Sequence, residues 1–187
     1  PASHMNPPRK RSVARAPGRP RSSASRAAIL KAAYQILRER GFAGFTIEGV
    51  AARAGAGKAT IYRWWQTKGT LAIEAFLVAI APRMDSIPLT DSAIADLRRQ
   101  VHVTAMLYRG RVGQLVRELI ALGQEDTETS RAFRSDFVEP RRQAALGALR
   151  RAQATGELYP GIDIEVLSDA LWGPIFHRLL VSRMPLD

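Results

Sequence analysis

The chain contains no cysteine. That excludes a disulfide framework and any thiolate metal site, and the reducing cytoplasm is the expected compartment. It also lacks a run of about eighteen apolar residues and an apolar segment behind its basic start, so neither a membrane span nor a secretory signal is expected. Acids are scarce at one end: residues 1–70 carry 14 lysines and arginines against two acids, Glu39 and Glu48, a net +12. The remaining 117 residues carry 14 against 15, a net −1. Such asymmetry is expected when one module faces a polyanion and the other does not, although a merely solubilising basic tail would give the same count. Enzyme signatures are missing as well. There is no glycine-rich phosphate loop, nucleophile elbow, HExxH pair or His/Cys pairing, so catalysis is disfavoured and no cofactor or metal is expected.

What is present is helical periodicity over 187 residues, with nothing that reads as β. Residues 1–22 are rich in Pro, Arg, Ser and Ala without apolar period and read as a disordered basic arm, opening on a tag remnant around Ser3-His4-Met5. A first amphipathic helix is predicted over 23–40, with Ile29, Ala33, Ile36 and Leu37 on one face and Gly41 as its stop. Thr46 is placed to cap a short helix bearing Ile47, Val50, Ala51 and Ala54. Gly55-Ala56-Gly57 ends it, and a third helix resumes over 58–65. Two short helices joined by a glycine-containing turn follow the helix-turn-helix plan.

On the wheel of that third helix, Ile61, Trp64 and Trp65 fall inward, while Ala59, Tyr62 and Arg63 fall outward, flanked by Lys58 and Thr60. The outward side offers what a groove-docking helix needs: a small residue for close approach, a cation and a phenol for phosphates, and short polar groups for base edges. Lys68, opening a fourth helix, and Thr46, capping the second, stand where helix-terminal amides can receive a phosphate, though Thr46 serves equally as a plain cap.

The stretch from Thr46-Ile47-Glu48-Gly49-Val50-Ala51 through Ala54-Gly55-Ala56-Gly57-Lys58-Ala59-Thr60-Ile61-Tyr62 to Lys68 closely resembles the TetR family of bacterial repressors. The resemblance implies that Thr46, Tyr62 and Lys68 hold phosphates and that Gly57, Lys58, Ala59, Thr60 and Arg63 lie at or near base edges. One departure is Gly57, where many members carry a helix-capping serine; glycine caps only a few tenths of a kcal/mol less well. In the arm, Gly18-Arg19-Pro20-Arg21 is similar to the core of an AT-hook. Arg19 and Arg21 would enter a minor groove or raise affinity through counterion release.

Beyond a fourth helix over 68–81, Pro82 and Pro88 mark a loop, followed by helices over 92–109, 112–123, 128–155 and 164–181. Pro140 lies inside the penultimate one, deprives the Asp136 carbonyl of its amide and predicts a kink near Phe137. The last carries two apolar rows, Leu167, Leu171, Ile175, Leu179 and Trp172, Phe176, Leu180, and needs cover on two sides. The segments Phe137–Arg142 and Gly173–Leu180 also resemble the family's C-terminal lobe, which implies an all-helical homodimer.

The family pattern pairs the helix over 164–181 with a further helix at the dimer interface; either that helix lies outside the sequence given, or dimerisation rests on the helix over 164–181 and another surface. The resemblance further implies a ligand pocket between the four C-terminal helices. Its candidates are His102, Met106, Leu107, Phe133, Phe137, Trp172, Phe176 and His177, each of which would serve as ordinary core, or for the histidines as a bonded structural group.

The fold expected is all-α: a three-helix helix-turn-helix DNA-binding domain over 23–68 and a helical ligand-binding and dimerisation domain over 69–187. The function expected is a sequence-specific transcriptional regulator, a repressor released from a palindromic duplex operator by a largely apolar or aromatic small molecule. The alternatives are a nonspecific nucleoid-type DNA-binding protein and, disfavoured, an enzyme.

Overall fold

The computed structural model describes residues 23–85, 89–124 and 127–186. The arm, with Arg19 and Arg21, and the Pro88 part of the anticipated loop lie outside them. Among the described residues every regular element is helical: α1 (Ser23–Arg40), α2 (Ile47–Ala54), α3 (Lys58–Tyr62), α4 (Lys68–Asp85), α5 (Ala93–Leu107), α6 (Gly110–Leu122), α7 (Glu128–Ala132), α8 (Glu139–Ala154) and α9 (Ile164–Phe176). Two π-helical turns, Phe133–Val138 and His177–Ser182, join α7 to α8 and extend α9. No helix among the described residues is long and apolar enough to cross a membrane.

One apolar core runs through both lobes. It starts with Ile29, Ile36 and Leu37 of α1, takes in Phe45, Val50 and Ile61, and continues through Leu71, Ile73 and Phe76 of α4 to Leu115, Phe133 and Phe137. α4 is therefore shared: it packs against α1 on one side and against α7 and the first π turn on the other. Burying an apolar side chain of this kind contributes about 1.5–3 kcal/mol, which makes α4 a joint that resists separation. A smaller cluster of Leu97, Ala145 and Leu149 seals α5 against α8.

α6 also reaches back to the first lobe. Arg111 donates from Nε to the Arg38 carbonyl (2.7 Å) and from Nη2 to the Leu37 carbonyl (3.0 Å), which also accepts from the Gly41 amide at 2.9 Å, so one guanidinium grips the last turn of α1. Glu118 accepts from the Phe42 amide at 2.6 Å. The α5–α6 corner is tight: a Cβ built on Gly113 would stand 1.9 Å from the Tyr108 carbonyl oxygen, so only glycine fits there.

Two proline expectations meet different outcomes. Pro82 does not end the fourth helix near residue 81; α4 continues to Asp85 with Pro82 inside it. The proline removes the amide that would serve the Val78 carbonyl, but Val78 and Pro82 lie on the exposed side, where water can serve it instead. Pro140 acts near the position anticipated, but the distortion is a widened turn over Phe133–Val138 that divides one long helix into α7 and α8. The Arg141 guanidinium donates to the Phe137 carbonyl at 2.8 Å, satisfying an acceptor at that break.

Candidate nucleic-acid interface and effector cavity

The helix-turn-helix is built as its residues dictate. Thr46 sits in extended backbone (φ −129°, ψ 147°), and its Oγ1 accepts from the Gly49 amide at 3.1 Å, fixing the start of α2. Gly55 ends α2 in the left-handed region (φ 63°) and turns its amide onto the Ala51 and Ala52 carbonyls, which sets up the turn into α3. Gly57 caps α3 without a side-chain bond, and α3 is shorter than anticipated, ending at Tyr62. Ile61 and Trp65 are buried and Trp64 half-buried, while Gly57, Lys58, Ala59, Tyr62 and Arg63 are exposed and Thr60 is half-buried. Tyr62 keeps 52% of its surface in solvent, a large aromatic held outward. Thr46 and Lys68 are exposed as well, so side chains able to meet a duplex backbone and groove are open to solvent.

The charges on this surface are held loosely. Lys58 Nζ lies 3.1 Å from Glu48 Oε1, with both side chains more than half exposed. The Glu48 backbone amide, and then Lys58, hold that carboxyl below its ordinary range. An exposed pair of this kind is readily exchanged for a phosphate or a base edge. Lys68 Nζ stands 4.6 Å above the Phe42 ring, and Thr67 Oγ1 accepts from the Thr70 amide to cap α4 behind it.

Sequence reasoning overlooked the brace behind this surface. Glu74 of α4 accepts from Trp65 Nε1 at 2.6 Å and from Arg26 of α1, whose guanidinium also lies 5.6 and 5.8 Å from the rings of Trp64 and Trp65. The end of the recognition segment is thereby tied to α4 and α1 together. The available signal was a lone acid, Glu74, in the strongly apolar stretch 71–80.

The second site is a cavity of about 680 Å³ between α5, α8 and α9, with Met84 of α4 on its wall. Its size is that of a small-molecule site. Phe137, Trp172 and Phe176, three of the candidates from the sequence, line it. The other five candidates do not. Phe133 is buried and stacked on Phe137 with centroids 4.9 Å apart, Leu107 is buried in the core, and Met106 is half-buried off the wall. His102 and His177 are exposed. The reason lies in the helix wheel: α5 presents Gln100, Thr104 and Tyr108, spaced four apart, and His102 and Met106 fall on other faces of the same helix. The aromatic wall is anchored by contacts of Phe137 with Phe76 (6.0 Å) and of Phe176 with Tyr108 (6.5 Å).

Residues 29–75 match the model of the bacterial regulatory proteins of the tetR family, and residues 87–187 that of the tetracyclin repressor-like C-terminal domain. The HTH-type transcriptional regulator YdeS of Bacillus subtilis is 39% identical over 88% of this chain and 83% of its own length. The DNA-binding transcriptional repressor TetR of Mycobacteroides abscessus is 30% identical over 86% and 84%. Among solved structures, the TetR family transcription regulator SCO0332 superposes with a TM-score of 0.75 at 35% identity, covering 88% of this chain and 91% of that one. With both lobes matched and relatives aligned over most of their length, the chain belongs to the TetR family of helix-turn-helix transcriptional regulators.

Proposed function

We propose that this regulator is a homodimeric repressor that holds a palindromic operator through two α2–α3 units and is released when a small molecule fills the cavity between α5, α8 and α9. The observation that carries this reading is the path of α4. The helix starts at Lys68 on the duplex-facing surface, packs Phe76 against Phe137 of the cavity wall, and ends with Met84 on that wall. A ligand that displaces the wall therefore pushes the element that positions the phosphate contacts.

In this reading Thr46, Tyr62 and Lys68 hold phosphates, while Gly57, Lys58, Ala59, Thr60 and Arg63 meet or approach base edges, with residues 23–68 as the DNA-binding unit and 69–187 as the sensing unit. Arg19 and Arg21 add affinity from the arm. Dimerisation supplies what one short helix cannot, because a single α3 reads few base pairs and two-fold symmetry doubles the site. The exposed apolar residues Val166 (64%) and Val181 (70%) on α9 and its extension support a partner on that face. Half-sites one duplex turn apart, about 34–36 Å, require a fixed spacing that a shift of a few ångströms breaks. A coupling of about 1–3 kcal/mol between cavity and DNA suffices for regulation.

Selection of bound duplexes from a randomised pool at about 150 mM salt, where nonspecific binding is suppressed, tests the reading. Enrichment of a palindrome supports a dimeric specific regulator. Enrichment of nothing points to the nucleoid-type alternative and overturns the proposal.

A further inference from the structure

Every charged residue on the cavity wall is already engaged. Arg141 donates to the Phe137 carbonyl and its guanidinium carbon lies 4.2 Å from the centroid of that ring. Arg142 is bonded to Asp169 at 2.9 Å and also meets Glu165. Two cations thus stand against two carboxylates, and no unbalanced charge is left for a guest. The other polar side chains on the wall, Gln100, Thr104, Tyr108 and Ser168, are uncharged, and the Thr104 hydroxyl is closed off from the space. An ion entering such a cavity sheds its water without gaining a free counter-charge, a cost that an uncharged molecule does not meet.

Tyr108 is the polar group that awaits a partner. It ends α5, is only 3% exposed, and its ring is steadied by Phe176. Its hydroxyl has no hydrogen-bond partner among the described residues, yet it is not closed off as the Thr104 hydroxyl is. Tyr108 also borders a smaller recess lined by Arg109, Arg117 and Arg178, but the charge that acts on its phenol is Arg141 of the cavity wall, so the hydroxyl lies toward the cavity. Burial pushes the phenol up to about 12, so at neutral pH it keeps its proton and can donate. A buried hydroxyl without a partner is costly, and an acceptor brought in by a guest removes that cost.

We propose that the effector is an uncharged, largely apolar molecule whose carbonyl-type oxygen accepts from the Tyr108 hydroxyl while its flat body lies against Phe137, Trp172 and Phe176. This assignment rests on reading the cavity as the effector site. Ketones, esters and lactones belong to the class, and carboxylates do not. The hydrogen bond separates a ketone from a hydrocarbon of the same shape, whereas the apolar body contributes equally to both.

The test is calorimetric titration of the full chain with 2-acetylnaphthalene, 2-ethylnaphthalene and 2-naphthoate, repeated on Tyr108→Phe. The ketone is expected to bind at least about tenfold more tightly than the carboxylate. Tyr108→Phe is expected to weaken the ketone about three- to tenfold and to leave the hydrocarbon within about a factor of two. Its thermal stability should be unchanged or raised, since the hydroxyl removed is unpaired in the empty protein. A ketone affinity indifferent to Tyr108→Phe, or a loss shared equally by the hydrocarbon, overturns the assignment to Tyr108. Naphthoate binding as tightly as the ketone overturns the uncharged class, and both of these results leave the cavity reading standing. Failure of all three compounds to bind at up to about 1 mM or their solubility overturns the cavity reading and the assignment with it.

Discussion

The hydroxyls of Thr67 and Thr129 lie 3.2 Å apart, joining the residue that caps α4, behind the proposed duplex-facing surface, to the helix that leads into the cavity wall. Thr129 belongs to α7, which runs directly into the π turn carrying Phe137. A chain of contacts thus passes from the cavity through the widened turn and α7 to the start of α4. Beside the bond, Gly69 leaves no room: an added Cβ would meet the Thr129 methyl and hydroxyl at 2.4 Å.

Gly69→Ala should therefore act against its own helix propensity. Gly69 is the second residue of α4, where alanine gains less than the roughly 1 kcal/mol of a helix interior, while overpacking at this contact costs about 1–3 kcal/mol, so the net effect is destabilising. In a Thr129→Ala background most of the cost should vanish, although the Thr129 Cβ still stands 2.9 Å away. Melting temperatures of the two singles and the double measure this coupling, and additive effects would deny the contact its role.

Substitutions on the duplex-facing surface should fall into two kinds. Tyr62→Phe and Lys68→Ala are expected to weaken binding to every sequence, with Lys68→Ala lowering the salt slope by about one. Lys58→Ala and Thr60→Ala are expected to cost about 1–3 kcal/mol at the preferred base pair and to change which pair is preferred. Binding measured over a set of operator variants and salt concentrations separates these behaviours. If all four variants behave alike, the division into phosphate holders and base readers fails.

Glu74→Gln should loosen the recognition segment from behind. The carboxylate receives the Trp65 indole and Arg26, and hydrogen bonds to charged groups contribute about 1.5–3 kcal/mol each. The expected outcome is lower stability and a shifted tryptophan emission, with weaker operator affinity although no DNA-facing residue has changed. Unaltered emission would show that Trp65 does not depend on this partner.

Acid stability should report on the start of α5. The Glu157 carboxylate accepts from the Ser92 hydroxyl and from the amides of Ala93 and Ile94, which bring its pKa down from 4.5 to about 2. Asp96, bonded to the Thr90 hydroxyl and amide and to Arg151, is held below its ordinary range in the same direction. A depressed carboxyl stabilises the fold above its unfolded value, and that contribution is lost as pH falls from about 4.5 through about 2. Glu157→Gln should lower stability at neutral pH and flatten the acid limb over that window in a circular-dichroism titration. An acid limb identical to the parent's would refute it.

The first lobe is legible because its signals are local and agree with one another. Thr46 caps, Gly55 turns, and Ile61 and Trp65 point inward by helical period, so residues 23–62 fold as their sequence reads. The cavity is less legible because periodicity marks which face of a helix is covered but not where two covered faces leave a gap. Phe133 and Phe137 look alike in sequence, yet one stacks in the core and the other also lines the space. His102 is among the sequence candidates on α5, while Thr104 and Gln100, which are not, are the ones on the wall. Pro82 shows the same limit, since a proline stops a helix only where its orphaned carbonyl cannot be served.

The fit of Gly113 against the Tyr108 carbonyl divides the machine into parts of unequal stiffness. The backbone of α6 lies so close to the end of α5 that no side chain separates them, and the two helices form one bracket. The bracket holds one cavity wall at Tyr108 and grips the end of α1 through Arg111 and Glu118. The opposite wall hangs on the widened π turn at Phe137. If the proposed effector enters between them, the side free to give is the one joined to α7 and α4, and α1 would stay anchored.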